Sequence, residues 1–418
     1  MKSAGEGLGI IQRHIPYGIT LINDAVLNIL VFRIARGLAE QSANMLVMGI
    51  FGAVFSIFFA ASSIIFGKHA DSSHNKKKLM FTGTALLMLS TGMLIILKAG
   101  TPFALLFYGL GGGTAGLVYP PILAWLNDHR RNALQQNGSD TKGVGTLVLK
   151  FCISWNLGMI LGNYTAGSLF AVGADLPLYA ALVFCLLNIL CIYLMKPGSK
   201  AAEAVSEAVQ PPTLPNDTAY KARLFVRLGW IANIGGAFIG SLILHLFPKM
   251  AVEIGIPPEQ HALILGIMRA AVIGAYFIMY LTTFWHYRLV VMLTLQGVAI
   301  VGVLLLFTFQ HVVIITCALV CIGSLTGHNY FVGMYYGNAA STVDDCGALN
   351  GYHEGTIGLG VGLGSLGGGL VGLFLSPRAP YLFAAGVIVI ISCLQIALYL
   401  RTTAAARREI TDGNLFPV

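Results

Sequence analysis

Long apolar runs recur from one end of this chain to the other, and they limit the folds that it can adopt. Each run is about 20 residues long, enough for a helix to cross the hydrocarbon core of a membrane. Because 56% of the residues are hydrophobic and only 10% are charged, the chain is also less polar than a soluble protein of this length. We predict an all-α integral membrane protein with twelve transmembrane helices. Their predicted spans are residues 15–36, 43–66, 79–98, 102–126, 145–171, 176–195, 224–247, 260–284, 289–309, 311–336, 353–376 and 380–400.

Positive charges are distributed unevenly between the predicted loops. Lys and Arg resist translocation and collect on the cytoplasmic side of membrane proteins. With the N-terminus inside, that side carries Lys2, Arg13, Lys68, Lys76, Lys77, Lys78, Arg130, Arg131, Lys142, Lys196, Lys200, Lys221, Arg223, Arg227, Arg288, Arg401, Arg407 and Arg408. The other side carries Arg33, Arg36, Lys98, Lys249 and Arg378. We therefore predict cytoplasmic N- and C-termini in a cell membrane, inner or plasma. We expect no cleavable signal, because the first apolar segment is too long and lacks a small-residue cleavage site.

The net charge of +8 follows from this topology. It is no argument for a nucleic-acid partner, and the predicted surroundings of the chain are the lipid bilayer. The apolar pattern is interrupted once, at residues 196–222, where Lys-Pro-Gly-Ser-Lys gives way to Ala, Glu, Pro and Asp without helical amphipathicity. We expect an N-terminal six-helix half at 1–195, a cytoplasmic linker at 196–222 and a C-terminal six-helix half at 223–418.

The two halves are alike at matching positions. Three glycines of the fifth predicted span recur at one constant offset in the eleventh, as the pairs Gly158 and Gly360, Gly162 and Gly364, and Gly167 and Gly369. In the fourth and tenth spans, Tyr119 and Asn127 are echoed by Tyr330 and Asn338. Glycines four apart share a helix face and let backbones approach closely, as an interface that opens and closes requires. For any one glycine, the alternative to a moving interface is static packing of small residues. The repeat at matching positions favours the moving interface, because internal repeats are typical of transporters.

The segment after the second predicted span carries a Gly, an Asp four residues later and then basic residues. These are Gly67, Asp71, Lys76, Lys77 and Lys78. The pattern resembles the loop between helices two and three of the major facilitator superfamily, although Ser72 stands where Arg is usual and His74 where Gly is usual. With twelve spans, a central linker and repeated halves, the whole chain resembles a transporter of that superfamily. The resemblance implies the fold of two pseudo-symmetric six-helix halves, and a cytoplasmic gate formed by Gly67, Asp71, Lys76 and Lys77.

The glycine repeats also resemble the antiporter motif of that superfamily, Gly-x-x-x-Gly-Pro-x-x-Gly-Gly. In the fifth span, however, Asn163 replaces the Pro and Ala166 replaces the first of the paired glycines. The fourth span also lacks the intramembrane Arg that many proton antiporters of the family place there. These departures count against an exporter.

Polar residues occur mainly in the predicted spans that the fold of this superfamily places around a central cavity. In span one, Tyr17, Thr20, Asp24 and Asn28 follow helical spacing and form one polar stripe. Aromatic faces and hydrogen-bonding groups at comparable depth suit a polar organic solute. The candidate substrate-binding residues are Tyr17, Asn28, Trp155, Asn156, Asn233, His328, Asn329 and Tyr330.

Three charged residues inside the spans are the candidates for proton coupling, namely Asp24, Arg269 and Glu354. A carboxylate within the membrane either pairs with a cation or takes up a proton. Arg stays charged, so Arg269 needs an anion, either one of these carboxylates or a carboxylate or phosphate on the substrate. The alternatives are a structural hydrogen bond for Asp24 and a gate-stabilising role for Glu354, which we place near the cytoplasmic start of span eleven.

These features predict a secondary active transporter that moves a small polar or anionic organic solute by alternating access, with proton-coupled uptake (symport) as the preferred mode. One alternative is an exporter of amphipathic compounds driven by proton antiport, and another is a membrane scaffold or assembly factor that does not transport. No nucleophile, metal-site or cofactor motif supports an enzyme, so we expect no cofactor and no bound metal. The expected partners are the solute and protons, and we expect a monomer.

Overall fold

The computed structural model describes residues 2–72, 76–97, 100–137, 143–195, 216–340 and 346–411. Within these ranges the regular structure is helical, without strands. Twelve helices are long and apolar enough to cross a membrane, which confirms the prediction of an all-α membrane protein. The predicted linker lies largely outside the described residues, although a helix already begins at Asn216.

The helices are numbered in chain order. They are α1 (Lys2–Glu40), α2 (Met45–Ser72), α3 (Lys76–Ile96), α4 (Pro102–Asn137), α5 (Gly143–Val172), α6 (Leu176–Leu194), α7 (Asn216–Ser241, continued by Leu242–Leu246 and Phe247–Glu253), α8 (Pro258–Leu281), α9 (Leu289–Thr308), α10 (Val312–Ala340), α11 (Cys346–Phe374) and α12 (Ala379–Thr411). We call the side of the bundle where α1 begins and α12 ends the terminal side.

Helix α7 changes its hydrogen-bonding pattern near its far end. Residues Leu242–Leu246 form a π-helical turn, and α-helical geometry resumes at Phe247–Glu253. The cause is Pro248, which has no backbone N–H to donate to the preceding turn, so the helix widens locally. The span therefore continues six residues past the predicted end at residue 247.

Helix α11 begins at Cys346, seven residues before the predicted start at residue 353. Its first turns contain Gly347, Asn350 and Gly351, which contribute little hydropathy. They are stabilised by packing against α2, because Gly347 and Gly351 lie directly against Gly67. Glu354 consequently lies about two turns inside the helix, deeper than the predicted start at residue 353 implies.

Each half is built by the same set of helix contacts. In the first half α1 packs on α5 and α6, α4 packs on α2 and α3, and α3 packs on α6. The corresponding helices of the second half, α7 to α12, repeat every one of these pairings. Between the halves, α2 packs on α11 and α5 packs on α8, which is again one contact and its symmetry mate. This arrangement leaves α3, α6, α9 and α12 at the periphery, and the apolar middle turns of these four helices carry no charged residue.

The repeated glycines have two different roles. A Cβ on Gly158 or Gly162 would overlap the α1 backbone at Leu21 or Ala25. Their counterparts make the matching contacts with α7, since a Cβ on Gly360 or Gly364 would overlap the carbonyl oxygens of Ile234 and Phe238. These four glycines therefore hold each half together, as static packing positions.

The third glycine pair lies between the halves. Gly167 of α5 lies against Ala262 and Pro258 of α8, and Gly369 of α11 lies against Met45 and Gly49 of α2. Of these six glycines, Gly167 and Gly369 are the two for which a moving interface stays a prediction, because they lie between the halves.

Candidate functional site

A cluster of charged and aromatic side chains lies between the two halves, at the middle of the bundle. Asp24, Arg269, Tyr330 and Glu354 each expose 4% or less of their surface. They come from α1, α8, α10 and α11, so neither half holds the cluster alone. Buried charges are costly within a membrane and are found where they bind an ion or a substrate. We call this cluster, together with Tyr119 and Trp155, the central site.

Asp24 is the centre of the N-terminal part of this site. Tyr119 of α4 and Trp155 of α5 lie within interaction range of its carboxyl group, and Arg269 and Glu354 are close enough to act on its charge. Asn23 donates a hydrogen bond from Nδ2 to the Tyr119 hydroxyl at 3.0 Å. The Oδ2 atom of Asp24 is buried without a hydrogen-bond partner, so this carboxyl group is incompletely satisfied in the closed structure.

Glu354 of α11 is the buried carboxyl group that the C-terminal half contributes. Its Oε1 atom accepts a hydrogen bond from the Tyr330 hydroxyl at 2.8 Å. Tyr330 and Tyr119 are the two tyrosines that the sequence repeats in α10 and α4, and each lies beside one buried carboxyl group. Each half therefore contributes one tyrosine and one carboxyl group to the site, and only the tyrosines are related by the repeat.

Arg269 has no hydrogen bond or ion pair with any residue that the structure describes. Its guanidinium carbon lies 6.0 Å from the centroid of the Trp155 ring, a cation–π distance. Tyr276 and Asp24 are also close enough to act on its charge. The site thus presents a buried, permanently positive group whose planar fork of donors is free to bind an anion.

Two contacts join the halves at the centre. The rings of Trp155 and Tyr330 stack with centroids 4.9 Å apart and planes 13° apart. At the next residue of α5, Asn156 donates from Nδ2 to the Tyr276 hydroxyl at 3.1 Å. The structure therefore brings together the predicted residues Trp155, Asn156 and Tyr330.

Other predicted binding residues form hydrogen bonds within or between helices instead of contributing to the central site. Asn28 donates to the backbone of Asp24, and Asn329 donates to the backbone of Ala232 in α7. Asn233 donates to the Thr356 hydroxyl of α11 at 3.0 Å. His328 is buried beside Asn329, and Tyr17 is half-buried near His14. These five lie apart from the contacts that build the central site.

Sequence reasoning missed three members of the site's surroundings. Asn23 supports Tyr119, and Tyr276 bonds Asn156 across the interface. His353 packs edge-on against the Tyr330 ring at 4.9 Å, and neither of its ring nitrogens has a hydrogen-bond partner. Asn23 could have been predicted from its position next to Asp24 in the chain, but no sequence signal marks Tyr276.

The terminal side is closed by contacts between the halves. Asn127 of α4 donates to Asn338 of α10 at 2.9 Å, and Asn338 donates to Asn350 of α11 at 3.1 Å. A Cβ on Gly67 would lie 2.8 Å from the carbonyl oxygen of Gly347, so α2 and α11 touch backbone to backbone there.

The predicted gate residues otherwise bind within the first half. Lys76 forms an ion pair with Asp128 of α4, and Lys77 donates to the carbonyl oxygens of Tyr193 and Met195 at the end of α6. Asp71 belongs to the last turn of α2, but its side chain lies outside the described residues.

The opposite side is closed as well. Arg36 of α1 donates to the carbonyl oxygen of Ile256, just before α8, at 3.0 Å. The ring of His261 packs between Phe32 of α1 and Phe247 of α7. Because both ends are sealed, the central site is occluded in this structure. Within the described residues, no group of three His, Cys, Asp or Glu side chains could hold a metal ion.

Comparison with known proteins identifies one matching family and several similar solved structures. The family model described as Major Facilitator Superfamily matches residues 17–343. The human organic anion transporter MFSD10 (TETRAN) matches with a TM-score of 0.63 at 13% identity, over 92% of this chain and 99% of that chain. The nucleoside transporter NupG matches with a TM-score of 0.65 at 15% identity, over 93% of this chain and 99% of that chain. Comparison with curated protein sequences gave no match. At these identities the structural likeness concerns the fold.

Proposed function

This chain belongs to the major facilitator superfamily, and from that premise we propose that it is a secondary active transporter of a small anionic organic solute, taken up together with protons. The observation that carries the proposal is the central site, where two carboxyl groups and an unpaired Arg269 are buried between the halves. A non-transporting scaffold gains nothing from charges that are costly to bury. The solved relatives named for an organic anion and for nucleosides both carry organic solutes.

Protons are the proposed coupling ion, because both buried carboxyl groups can carry one. In a site of low polarity, Asp24 and Glu354 repel each other when both are ionised, and protonation relieves that repulsion. An anionic solute on Arg269 adds a further negative charge. Binding of the anion and binding of protons therefore favour each other, which is the requirement for symport.

Alternating access is proposed to occur by rocking of the two halves, residues 1–195 and 223–418, about the central site. The backbone-to-backbone glycine contacts of α1 with α5 and of α7 with α11 support each half as a rigid body. Across the halves, α2 packs on α11 from Gly49 to Gly67, and α5 packs on α8. Rocking is proposed to close these contacts at one end of the bundle while it opens them at the other.

Gly67 provides a test of the proposed gate. Gly67→Val places a branched side chain where α2 meets Gly347 and Gly351 of α11. Such overpacking costs about 1–3 kcal/mol, and it acts only on states in which the terminal side is closed. We expect a shift toward the state that is open on the terminal side, measured as longer distances between spin labels at Lys78 and Arg288. The matched control is Gly92→Val, because nothing lies within 4 Å of a Cβ at Gly92. Equal distance distributions for Gly67→Val and the parent would remove Gly67 from the gate.

The terminal side is proposed to be cytoplasmic, in the inner or plasma membrane, because the Lys and Arg residues collect there. Single cysteines at Ser139 and Ser206, which lie outside the described residues, are expected to react only with reagents that reach the cytoplasm. Labelling of either position by an impermeant reagent added outside intact cells contradicts this orientation.

The transport proposal is tested with purified protein. A thermal-shift screen against a metabolite panel identifies ligands, since a solute that binds only the folded state raises its stability. Each hit is then offered to proteoliposomes with an imposed pH gradient, acidic on the side of the solute. We expect accumulation of an organic anion above its equilibrium level. A protein that binds and accumulates no solute under any gradient contradicts the proposal.

A further inference from the structure

We propose that the solute is a planar aromatic carboxylate, with its ring clamped between Trp155 and Tyr330 and its carboxylate bound by Arg269. This inference rests on the proposed transport function and specifies its substrate class. The two aromatic residues come from opposite halves, Trp155 from α5 and Tyr330 from α10.

The first step concerns the stacked rings. In the occluded structure Trp155 and Tyr330 lie nearly parallel, 13° apart, at a centroid distance of 4.9 Å. Rocking the halves apart must separate them, because each ring belongs to a different half. Separation removes this contact and exposes one aromatic face of each ring to the site. A flat ring of the solute restores a stacking partner to both faces, which a saturated ring does less well because its hydrogens project from the ring plane.

The second step concerns the charge of the solute. Arg269 has no hydrogen bond or ion pair in the described part of the chain, and it lies 6.0 Å from the Trp155 ring. An anionic group attached to a ring that stacks on Trp155 is thus within reach of the guanidinium. A carboxylate matches the planar fork of the guanidinium with two parallel hydrogen bonds.

The third step concerns the remaining polar groups. Asp24 and Glu354 add negative charge, so the site best accepts an anion when both carboxyl groups are protonated. The protonated groups and the hydroxyls of Tyr119 and Tyr276 can then donate hydrogen bonds to the substituents of a ring. A solute with one carboxylate balances the single fixed charge of Arg269.

Binding to the purified full-length protein tests the inference with matched probe sets. One set is benzoate, cyclohexanecarboxylate and benzamide, and a larger set is 2-naphthoate, decalin-2-carboxylate and 2-naphthamide. Within a set, the saturated acid lacks the planar ring and the amide lacks the charge. We expect the aromatic acid of at least one set to bind about tenfold more tightly than either analogue.

Two variants connect this preference to the clamp. Trp155→Leu should reduce the preference for the aromatic acid over the saturated acid to about twofold or less, because one stacking face is lost. Tyr330→Phe keeps the ring but removes the hydroxyl that bonds Glu354, and it should retain the preference. A Trp155→Leu protein that still prefers the aromatic acid tenfold would overturn the clamp.

The remaining outcomes separate this inference from the transport proposal. If saturated acids or neutral amides bind as tightly as the aromatic acids, the inference fails and the transport proposal stands. If no probe binds but another solute of the metabolite panel is accumulated, the inference again fails alone. If neither the probes nor any panel solute is bound or accumulated, both fail.

Discussion

Asp24→Asn is expected to abolish concentrative transport driven by a pH gradient while sparing counterflow exchange. The Asp24 carboxyl group is 3% exposed, and its Oδ2 atom has no hydrogen-bond partner. Glu354, by contrast, has its Oε1 atom bound to the Tyr330 hydroxyl. An Asn side chain keeps the shape but cannot take up or release a proton. Exchange needs only the solute site and the rocking motion, so it should continue.

The measurement is solute uptake by proteoliposomes with and without an imposed pH gradient, alongside exchange against internal solute. In the Asp24→Asn protein the accumulated solute should fall to the level of passive equilibration. The matched control is Asp175→Asn, which removes a carboxylate that pairs with Arg33 outside the central site; it should accumulate solute like the parent. If Asp24→Asn accumulates solute to the parental level, Asp24 is not the proton carrier. In that case Glu354→Gln becomes the variant that should lose coupling.

Arg269→Ala is expected to abolish both accumulation and exchange, because it removes the proposed anchor of the solute. Charge-assisted, bidentate hydrogen bonds are among the strongest that a side chain can form. Their loss in a buried site should reduce affinity by roughly 10²-fold. Arg269→Lys keeps the charge but loses the fork of donors, so it should retain weak binding and slow exchange.

Stability measurements distinguish a lost anchor from a damaged fold. Arg269 has no ion pair in the described part of the chain, so its removal leaves no carboxylate without a direct partner. We expect the thermal stability of Arg269→Ala without solute to equal or exceed that of the parent. The solute should no longer raise the melting temperature. Arg378→Ala, at the loop between α11 and α12, is the control that should retain solute stabilisation. Exchange at the parental rate by Arg269→Ala would contradict the assignment.

Much of the site could be predicted from residue types alone. Asp24, Arg269 and Glu354 were identified because charge inside an apolar span is costly wherever the span packs. Trp155 and Tyr330 were candidates because aromatic and hydrogen-bonding groups at comparable depth suit a polar organic solute, but their stacking across the interface could not be predicted. The hydrogen bonds of Asn233 and Asn329 to neighbouring helices also could not be predicted, because a polar residue in a helix does not encode which neighbour it faces.

The sequence by itself determined the membrane class, the twelve spans and the two repeated halves. Hydrocarbon thickness imposes a length and a composition on every span, and both are local properties of the chain. Only the tertiary structure decided that Gly158 and Gly162 hold one half together while Gly167 faces the other half. It also decided that α11 starts at Cys346, because packing against Gly67 stabilises turns that lack apolar side chains. Contacts between distant segments depend on the shapes that meet when the helices assemble, and those shapes are not present in any single span.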